Sequence, residues 1–174
     1  HVPEMEPYVS STRSPMYYTA RIAKKKYPDA KVVFVGPCIA KRKEAQRDEE
    51  VDFVMTFDEI VALMEAYDIN TEFVQPHVME VATVREAQGF AQAGGVMGAV
   101  KAFLKMEVNG IQMADLNKKN IAALRAYAKT GKVPAKFIEV MACEGGCITG
   151  PATYSGDKGK RMMVQNLAKW KKTY

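Results

Sequence analysis

Three cysteines, two histidines and one tryptophan are all that 174 residues offer of the rarer side chains that often announce chemistry. A small, odd number of cysteines does not make a disulfide framework in a chain this long, so a reducing, cytoplasmic setting and a ligating role for the thiols are expected. With only His1 and His77 present, a zinc site built on several histidines is excluded within the chain. Cys-His nucleophilic catalysis would require His77, which follows Pro76 and reads as a loop residue. No run of about 18 apolar residues is available to span a bilayer, and the first residues do not form a basic-then-apolar leader. Neither a Walker-type phosphate loop nor a dinucleotide fingerprint occurs.

What is present suffices for a core: 48% of the residues are hydrophobic and 26% charged. The net charge of +5 is concentrated in Lys24-Lys25-Lys26 and in Lys169 to Lys172. Both runs fall where helices should end, and cations there complement the helix dipole. They lack interleaved aromatic platforms, so nucleic-acid binding is not expected; docking of an acidic electron carrier is the alternative use for them. His1-Val2-Pro3 is not a natural translation start, and the chain is expected to be a piece of a larger protein.

Ser14-Pro15 reads as a helix start, with serine as cap and proline at the first helical position, and the helix should run to about Lys26. Lys31 to Val35 is a β-branched and aromatic strand, ended by Gly36-Pro37-Cys38. A second strand, Val51 to Phe57, leads into a helix announced by Thr56 and Glu59, spaced as in a capping box. Ile60, Leu63, Met64 and Tyr67 then fall at helical spacing and are expected in the core. Thr83 and Glu86 repeat the capping pattern and open a segment reaching about Leu104 through Gly94-Gly95. Val108 to Leu116 reads as a loop or hairpin. Asn117 begins a helix that Gly131 ends, Phe137 to Met141 forms a strand that delivers Cys143, and a last helix is expected from Lys158 to Lys171. Strands alternating with helices over crossover-length connections predict an α/β fold, with a mainly parallel sheet flanked by helices. Cys38 and Cys143 then lie at carboxyl ends of strands, where open α/β sheets place ligands.

In Met141-Ala142-Cys143-Glu144-Gly145-Gly146-Cys147, glycines between the two thiols allow both to face one inorganic cluster while backbone amides turn toward its sulfides. Two small buried thiols at a tight turn are the alternative. In Gly36-Pro37-Cys38-Ile39-Ala40-Lys41-Arg42-Lys43-Glu44, a cysteine at a strand end is followed three residues on by a lysine, so a thiolate and a cationic donor can reach one anionic group. Taken alone, Cys38 reads as a core thiol, with a ligand or nucleophile as the alternative.

Together these segments resemble two of the three signature sequences of the iron-only (FeFe) hydrogenase active-site domain. One family signature reads Met-Pro-Cys-x-x-Lys-x-x-Glu, and Pro37, Cys38, Lys41 and Glu44 match it, with Gly36 in place of methionine. The other reads Glu-x-Met-Ala-Cys-x-x-Gly-Cys, and Glu139, Met141, Ala142, Cys143, Gly146 and Cys147 match throughout. Tyr8 to Pro15 is similar to the family's Leu-Ser-Ser-x-Lys-Ser-Pro segment, and Gly94-Gly95-Val96-Met97 to its Gly-Gly-Val-Met helix start. The family's first signature, Thr-Ser-Cys-Cys-Pro, is not in this sequence and would fall before His1. Gly98 stands where many relatives have glutamate, and Thr149-Gly150-Pro151-Ala152 departs from their glycine-rich run ending in Gln-Pro.

The resemblance implies that residues 1–174 are the C-terminal portion of the two-lobed hydrogenase catalytic domain. It implies reversible reduction of protons to dihydrogen, with a 4Fe-4S cubane and a di-iron unit carrying carbonyl, cyanide and a bridging dithiolate. By position, Cys38 and Cys143 would bind the cubane, and Cys147 would bind it and bridge to the di-iron unit. Pro37 and Lys41 would line that site, with Lys41 donating to an iron-bound cyanide. Met141 would pack beside the di-iron unit, and Ser10 matches a serine on the proton-transfer route. Glu44 and Glu139 are expected as hydrogen-bond acceptors that hold the cysteine loops rather than as proton carriers. The fourth cubane ligand and the proton-delivering cysteine belong to the absent signature, so these 174 residues alone are expected to be inactive. The implied partners are the upstream lobe of the same protein and a ferredoxin or similar electron carrier. The alternative is a non-catalytic, hydrogenase-like iron-sulfur protein for sensing or cluster delivery.

Overall fold

The computed structural model describes residues 2–77, 85–153 and 165. The described residues form two compact units: residues 11–77 with 150–153 make one, and residues 2–10 with 85–149 make the other.

In the first unit, α1 (Pro15–Lys26) is followed by β1 (Val33–Val35), α2 (Ala40–Asp48), β2 (Phe53–Met55) and α3 (Phe57–Ala66). β1 and β2 pair in parallel with Val33 opposite Phe53 and Val35 opposite Met55. β1 is shorter than the apolar run Lys31 to Val35 because Asp52 intervenes. Its carboxylate accepts the Val32 N–H at 2.8 Å, and its own N–H donates to the Val32 carbonyl at 2.9 Å, so a side chain takes over the ladder there. Met16 and Ala20, one turn apart on α1, pack with Val51 into a small core flanked by Val32, Phe34, Ala45 and Val54. The first lysine run ends α1, as the dipole argument requires.

Two sequence expectations change here, and one helix is added to them. Ser14 precedes α1, but its hydroxyl makes no capping bond to the helix; it donates instead to the Glu44 carboxylate, a stronger acceptor than water can offer a half-buried hydroxyl. α2 has no counterpart in the periodicity, since it is charged on nearly every side. Leu63 and Tyr67 are 42% and 72% exposed rather than core, leaving Ile60 and Met64 half-buried on α3. The Thr56–Glu59 capping box does form: Glu59 N–H donates to Thr56 Oγ1 at 3.2 Å, and Thr56 N–H to Glu59 Oε2 at 2.8 Å.

Acid should loosen this unit. Asp48 is held below its ordinary value by the Arg47 guanidinium, and Asp52 by the Val32 N–H. Glu59 is lowered by the Thr56 N–H and then by Arg42. A carboxyl with a depressed folded-state value binds fewer protons folded than unfolded, so its contribution is complete above the ordinary carboxylate range and disappears as pH falls through the folded value. Urea midpoints are therefore expected to drop as pH falls below about 4, and Asp52→Asn should flatten that dependence. A dependence identical to wild type in Asp52→Asn would contradict this assignment.

The second unit contains a 3-10 turn (Pro3–Tyr8), then α4 (Arg85–Gln88), α5 (Gly95–Leu104), β3 (Gly110–Ala114), α6 (Lys118–Thr130) and β4 (Phe137–Met141). Residues expected as a loop or hairpin form β3, which runs parallel to β4 with Gly110 opposite Phe137 and Ala114 opposite Met141. A strand whose partner lies a helix away in sequence leaves no local turn signal. The expected passage through Gly94-Gly95 is also interrupted. Gly94 takes φ +83°, and a Cβ on Gly95 would lie 1.8 Å from the Gly89 carbonyl oxygen, so the chain turns between α4 and α5. Asn117 accepts from the Asn120 N–H at 2.9 Å, and Gly131 ends α6 at φ +65°. Thr83 lies outside the described residues, as does the last expected helix apart from Gln165, which is helical. The parallel pairing is as expected, but it is distributed over two two-stranded sheets.

Candidate functional site

Cys38 and Cys143 each follow a strand of a parallel pair, β1 in the first unit and β4 in the second. Cys38, Cys143 and Cys147 are all half-buried, and none is in a disulfide.

Around Cys38, the chain leaves β1 through Gly36-Pro37 and enters α2 within a turn, with the Lys41 N–H donating to the Cys38 carbonyl at 3.2 Å. The Pro37 carbonyl accepts the Ala152 N–H at 3.2 Å, which fixes the backbone just before the thiol. The Lys41 ammonium lies 2.5 Å from Glu44 Oε2, and the two side chains are 22% and 17% exposed. Glu44 is thus an acceptor for both Ser14 and Lys41. Gly36, the one departure from the hydrogenase-like signature Met-Pro-Cys-x-x-Lys-x-x-Glu, lies under the Phe34 ring, whose nearest carbon would be 2.7 Å from a Cβ there. Phe34 takes up the space in which such a methionine side chain would start.

Around Cys143 and Cys147, the loop is shaped by Gly145 at φ +80° and Gly146 at φ +97°. It is fastened to residues 91–93: Ala93 N–H donates to the Gly145 carbonyl at 3.1 Å, Ile148 N–H donates to the Ala91 carbonyl at 3.1 Å, and Gln92 and Gly146 form an antiparallel bridge. Thr149 Oγ1 closes the following 3-10 turn onto the Gly146 carbonyl at 2.9 Å. Glu139, in the middle of β4 and 4% exposed, accepts the N–H groups of Gly94 at 2.7 Å and Met97 at 2.8 Å. It therefore caps the N-terminus of α5 from a neighbouring strand. The fastening segment 91–93 carried no sequence signal; the adjacent Gly94-Gly95 was the only hint of it.

Met141 ends β4 and is half-buried, with its carbonyl accepting Asp115 N–H at 2.8 Å. Ser10 lines a largely apolar cavity of about 490 Å³ with Tyr8, Leu124, Tyr127, Ile138 and Val140. Since side chains alternate along a strand, Ile138 and Val140 face that cavity while Glu139 and Met141 face the other way. Ser10 and Met141 thus lie on opposite faces of β4. The second unit holds Ser10, Met141, Cys143 and Cys147, and the first holds Pro37, Cys38 and Lys41.

Cys38 after β1, and Cys143 and Cys147 on one glycine-shaped loop after β4, are thiols of the softness that iron-sulfur ligation needs. A cubane takes four thiolates and the chain has three cysteines, so by residue type they fit part of a ligand sphere, although among the described residues no group of three or more His, Cys, Asp or Glu side chains is placed to hold a metal ion. Among the described residues, no helix is long and apolar enough to cross a membrane.

Comparison with known proteins gives the family and the fold. Cytosolic Fe-S cluster assembly factor narfl of Danio rerio is 25% identical over 92% of this chain and 52% of its own length. Iron hydrogenase 1 of Clostridium pasteurianum is 29% identical over 86% of the chain and 34% of its own length. The chain thus spans about half, or less, of the curated relatives it matches. The fold is shared with FeFe-hydrogenase HydA1 from Chlamydomonas reinhardtii, at TM-score 0.65 and 20% identity over 95% of this chain and 61% of that one. Residues 1–151 match the family described as iron only hydrogenase large subunit, C-terminal domain, and the chain belongs to that family.

Proposed function

We propose that this chain is part of an FeFe hydrogenase that reversibly reduces protons to dihydrogen. The observation that carries the reading is the set of three half-buried thiols, none in a disulfide, on loops that leave parallel strands. In this reading Cys38, Cys143 and Cys147 would hold the iron-sulfur centre, with Cys147 nearest its di-iron part, and the fourth thiolate would come from another part of a longer protein. When bound, the iron centre with its carbonyl, cyanide and dithiolate groups supplies the redox chemistry between protons and dihydrogen.

The chain's own share is orientation and proton handling. Pro37 and the Ala152 contact fix the backbone before Cys38. Lys41 directs an ammonium donor toward anionic groups next to that thiol. Gly145 and Gly146 turn the Cys143–Cys147 loop, and Met141 contributes an apolar wall that keeps water away. The Ser10 hydroxyl would pass protons, and its place on the opposite face of β4 from Met141 makes it an outer member of such a route. Electrons would come from a ferredoxin-like carrier, and the cytosolic name of the narfl relative favours a cytoplasmic setting.

The full-length protein, matured with its di-iron unit, is expected to evolve dihydrogen from reduced methyl viologen. A matured protein that neither evolves nor oxidises hydrogen would sink the enzymatic reading. Replacing Cys143 and Cys147 together by serine is expected to abolish cluster iron, measured per chain in the anaerobically purified full-length protein; unchanged iron would show that these thiols do not ligate.

A second reading is a non-catalytic role in cluster sensing or delivery, favoured by the similarity to an Fe-S cluster assembly factor and by Gly36 and Gly98, where hydrogenases have larger side chains. Infrared bands from iron-bound carbonyl and cyanide separate the two. A protein carrying a cubane alone has none.

A further inference from the structure

Ser14 is in the right place to cap α1, yet it forgoes that bond. An N-cap hydroxyl ordinarily stabilises its helix, so its diversion to a residue 30 positions away calls for a use. The hydroxyl donates to Glu44 Oε1, while the other carboxylate oxygen, Oε2, accepts the Lys41 ammonium. Both oxygens of one partly buried carboxylate are thereby engaged, one by the residue just before α1 and one by α2's first turn. Glu44 and Lys41 are three apart on α2, so they share a helix face. Lys41 in turn sits three residues after Cys38 and shares its turn through the Lys41 N–H bond to the Cys38 carbonyl.

We infer that Ser14 and Glu44 are positioning residues that hold the Lys41 ammonium in one orientation beside Cys38. A carboxylate with one partner can rotate about its last torsion and carry a flexible lysine with it; a serine fixed to the start of another helix removes that freedom. Lys41 has three N–H donors and Glu44 uses one, so the remaining donors keep a defined direction in which to meet an anionic group near the thiol. A lysine without this bracing would sample several rotamers, each at a cost in order when a ligand binds. The device rests on the hydrogenase reading for its purpose, since that reading places an iron-bound cyanide in front of Lys41. Its geometry stands on the chain alone.

The test uses the full-length protein and two readouts. The first needs no cofactor: trace acetylation with acetic anhydride, quantified by mass spectrometry as the labelling of Lys41 relative to exposed Lys43. Wild type is expected to show Lys41 shielded. Glu44→Gln should raise the ratio about fivefold, corresponding to about 1 kcal/mol at 1.4 kcal/mol per tenfold. Ser14→Ala should raise it in the same direction by about half that factor, and Ser14→Thr, which keeps the hydroxyl, should restore it. Lys24 and Lys31, which pair with Asp52, report general loosening and should not change. A Ser14→Ala protein with the wild-type ratio, or a wild-type protein whose Lys41 labels as fast as Lys43, would overturn the inference.

The second readout is the infrared cyanide stretch of the matured protein, expected to broaden or shift in Ser14→Ala and to recover in Ser14→Thr. Cyanide bands present but identical in all variants would also overturn the inference. Absence of carbonyl and cyanide bands in the wild type would count against the hydrogenase reading, and the labelling ratios would still decide the role of Ser14 and Glu44.

Discussion

Gly146→Ala is expected to destabilise the protein by at least about 3 kcal/mol and to strip iron from the full-length form. Two independent effects act at this position. At φ +97° the backbone lies in a region that residues with a Cβ rarely adopt. The added carbon would also lie 2.5 Å from the Ala93 nitrogen, 2.6 Å from the Ala91 oxygen and 2.7 Å from the Gln92 carbonyl carbon. These are backbone atoms and cannot swing aside as a side-chain end can. Relief would require residues 91–93 to separate from the loop, breaking the Gln92–Gly146 bridge and the bonds at Ala93 and Ile148. Cys147 adjoins the substituted residue, so its thiol would move with the loop. Guanidinium midpoints and iron per chain measure the two consequences. Gly98→Ala is the control, because nothing lies within 4 Å of a Cβ at that helical position; it is expected to be neutral or to stabilise α5 by up to about 1 kcal/mol. Similar losses in both variants would mean that the loop contacts are not the cause.

Glu139→Ala is expected to cost about 3 kcal/mol, measured by urea or guanidinium unfolding. Gly94 precedes α5 and has no side chain with which to cap it. Glu139 supplies the missing acceptor from β4, taking the Gly94 amide and the amide of Met97, the third helical residue, which an N-cap serine would ordinarily serve. Removing the carboxylate leaves two amides without their partner and opens a small void between strand and helix. The carboxylate's negative charge at the positive end of α5 adds a favourable term that an amide would lack. Glu139→Gln, which keeps one acceptor oxygen and brings an N–H₂ toward N–H groups, should fall between wild type and alanine. A glutamine variant as stable as wild type would show that charge contributes nothing here, and an alanine variant within 0.5 kcal/mol, about the scatter of surface substitutions, would remove the capping role.

The elements announced by local chemistry were legible in the sequence. The Thr56–Glu59 box, Asn117 and Gly131 each act on backbone groups within a turn of themselves, so spacing alone identifies them. β3 and α2 were not legible for opposite reasons. β3 depends on a partner across α6, which no window of sequence contains. α2, Ala-Lys-Arg-Lys-Glu-Ala-Gln-Arg-Asp, has no apolar stripe to count, although its composition of strong helix formers and the Lys41–Glu44 spacing carried a usable signal. At the site, the motifs located the thiols and glycines, and the need for acceptors at Glu44 and Glu139 was foreseeable. Which donors they serve was not, because Ser14 and Gly94 lie 30 and 45 residues away from them. Likewise the exposure of Leu63 and Tyr67 departs from a periodicity that marks a helix face without stating what, if anything, covers it.

The Glu139 contacts also bear on the order of events during folding. The two hydrogen bonds that anchor α5 to β4 close loops of 45 and 42 residues, and the entropy of such closure must be offset before the bonds can form. α6 and the turns beside it can form early, on local contacts. The Cys143–Cys147 loop leans on the segment that these bonds hold, so it reaches its final shape only after the long closure. The thiols of this unit are therefore presented together by a chain that has already folded around them, and iron loading should lag behind the appearance of helix.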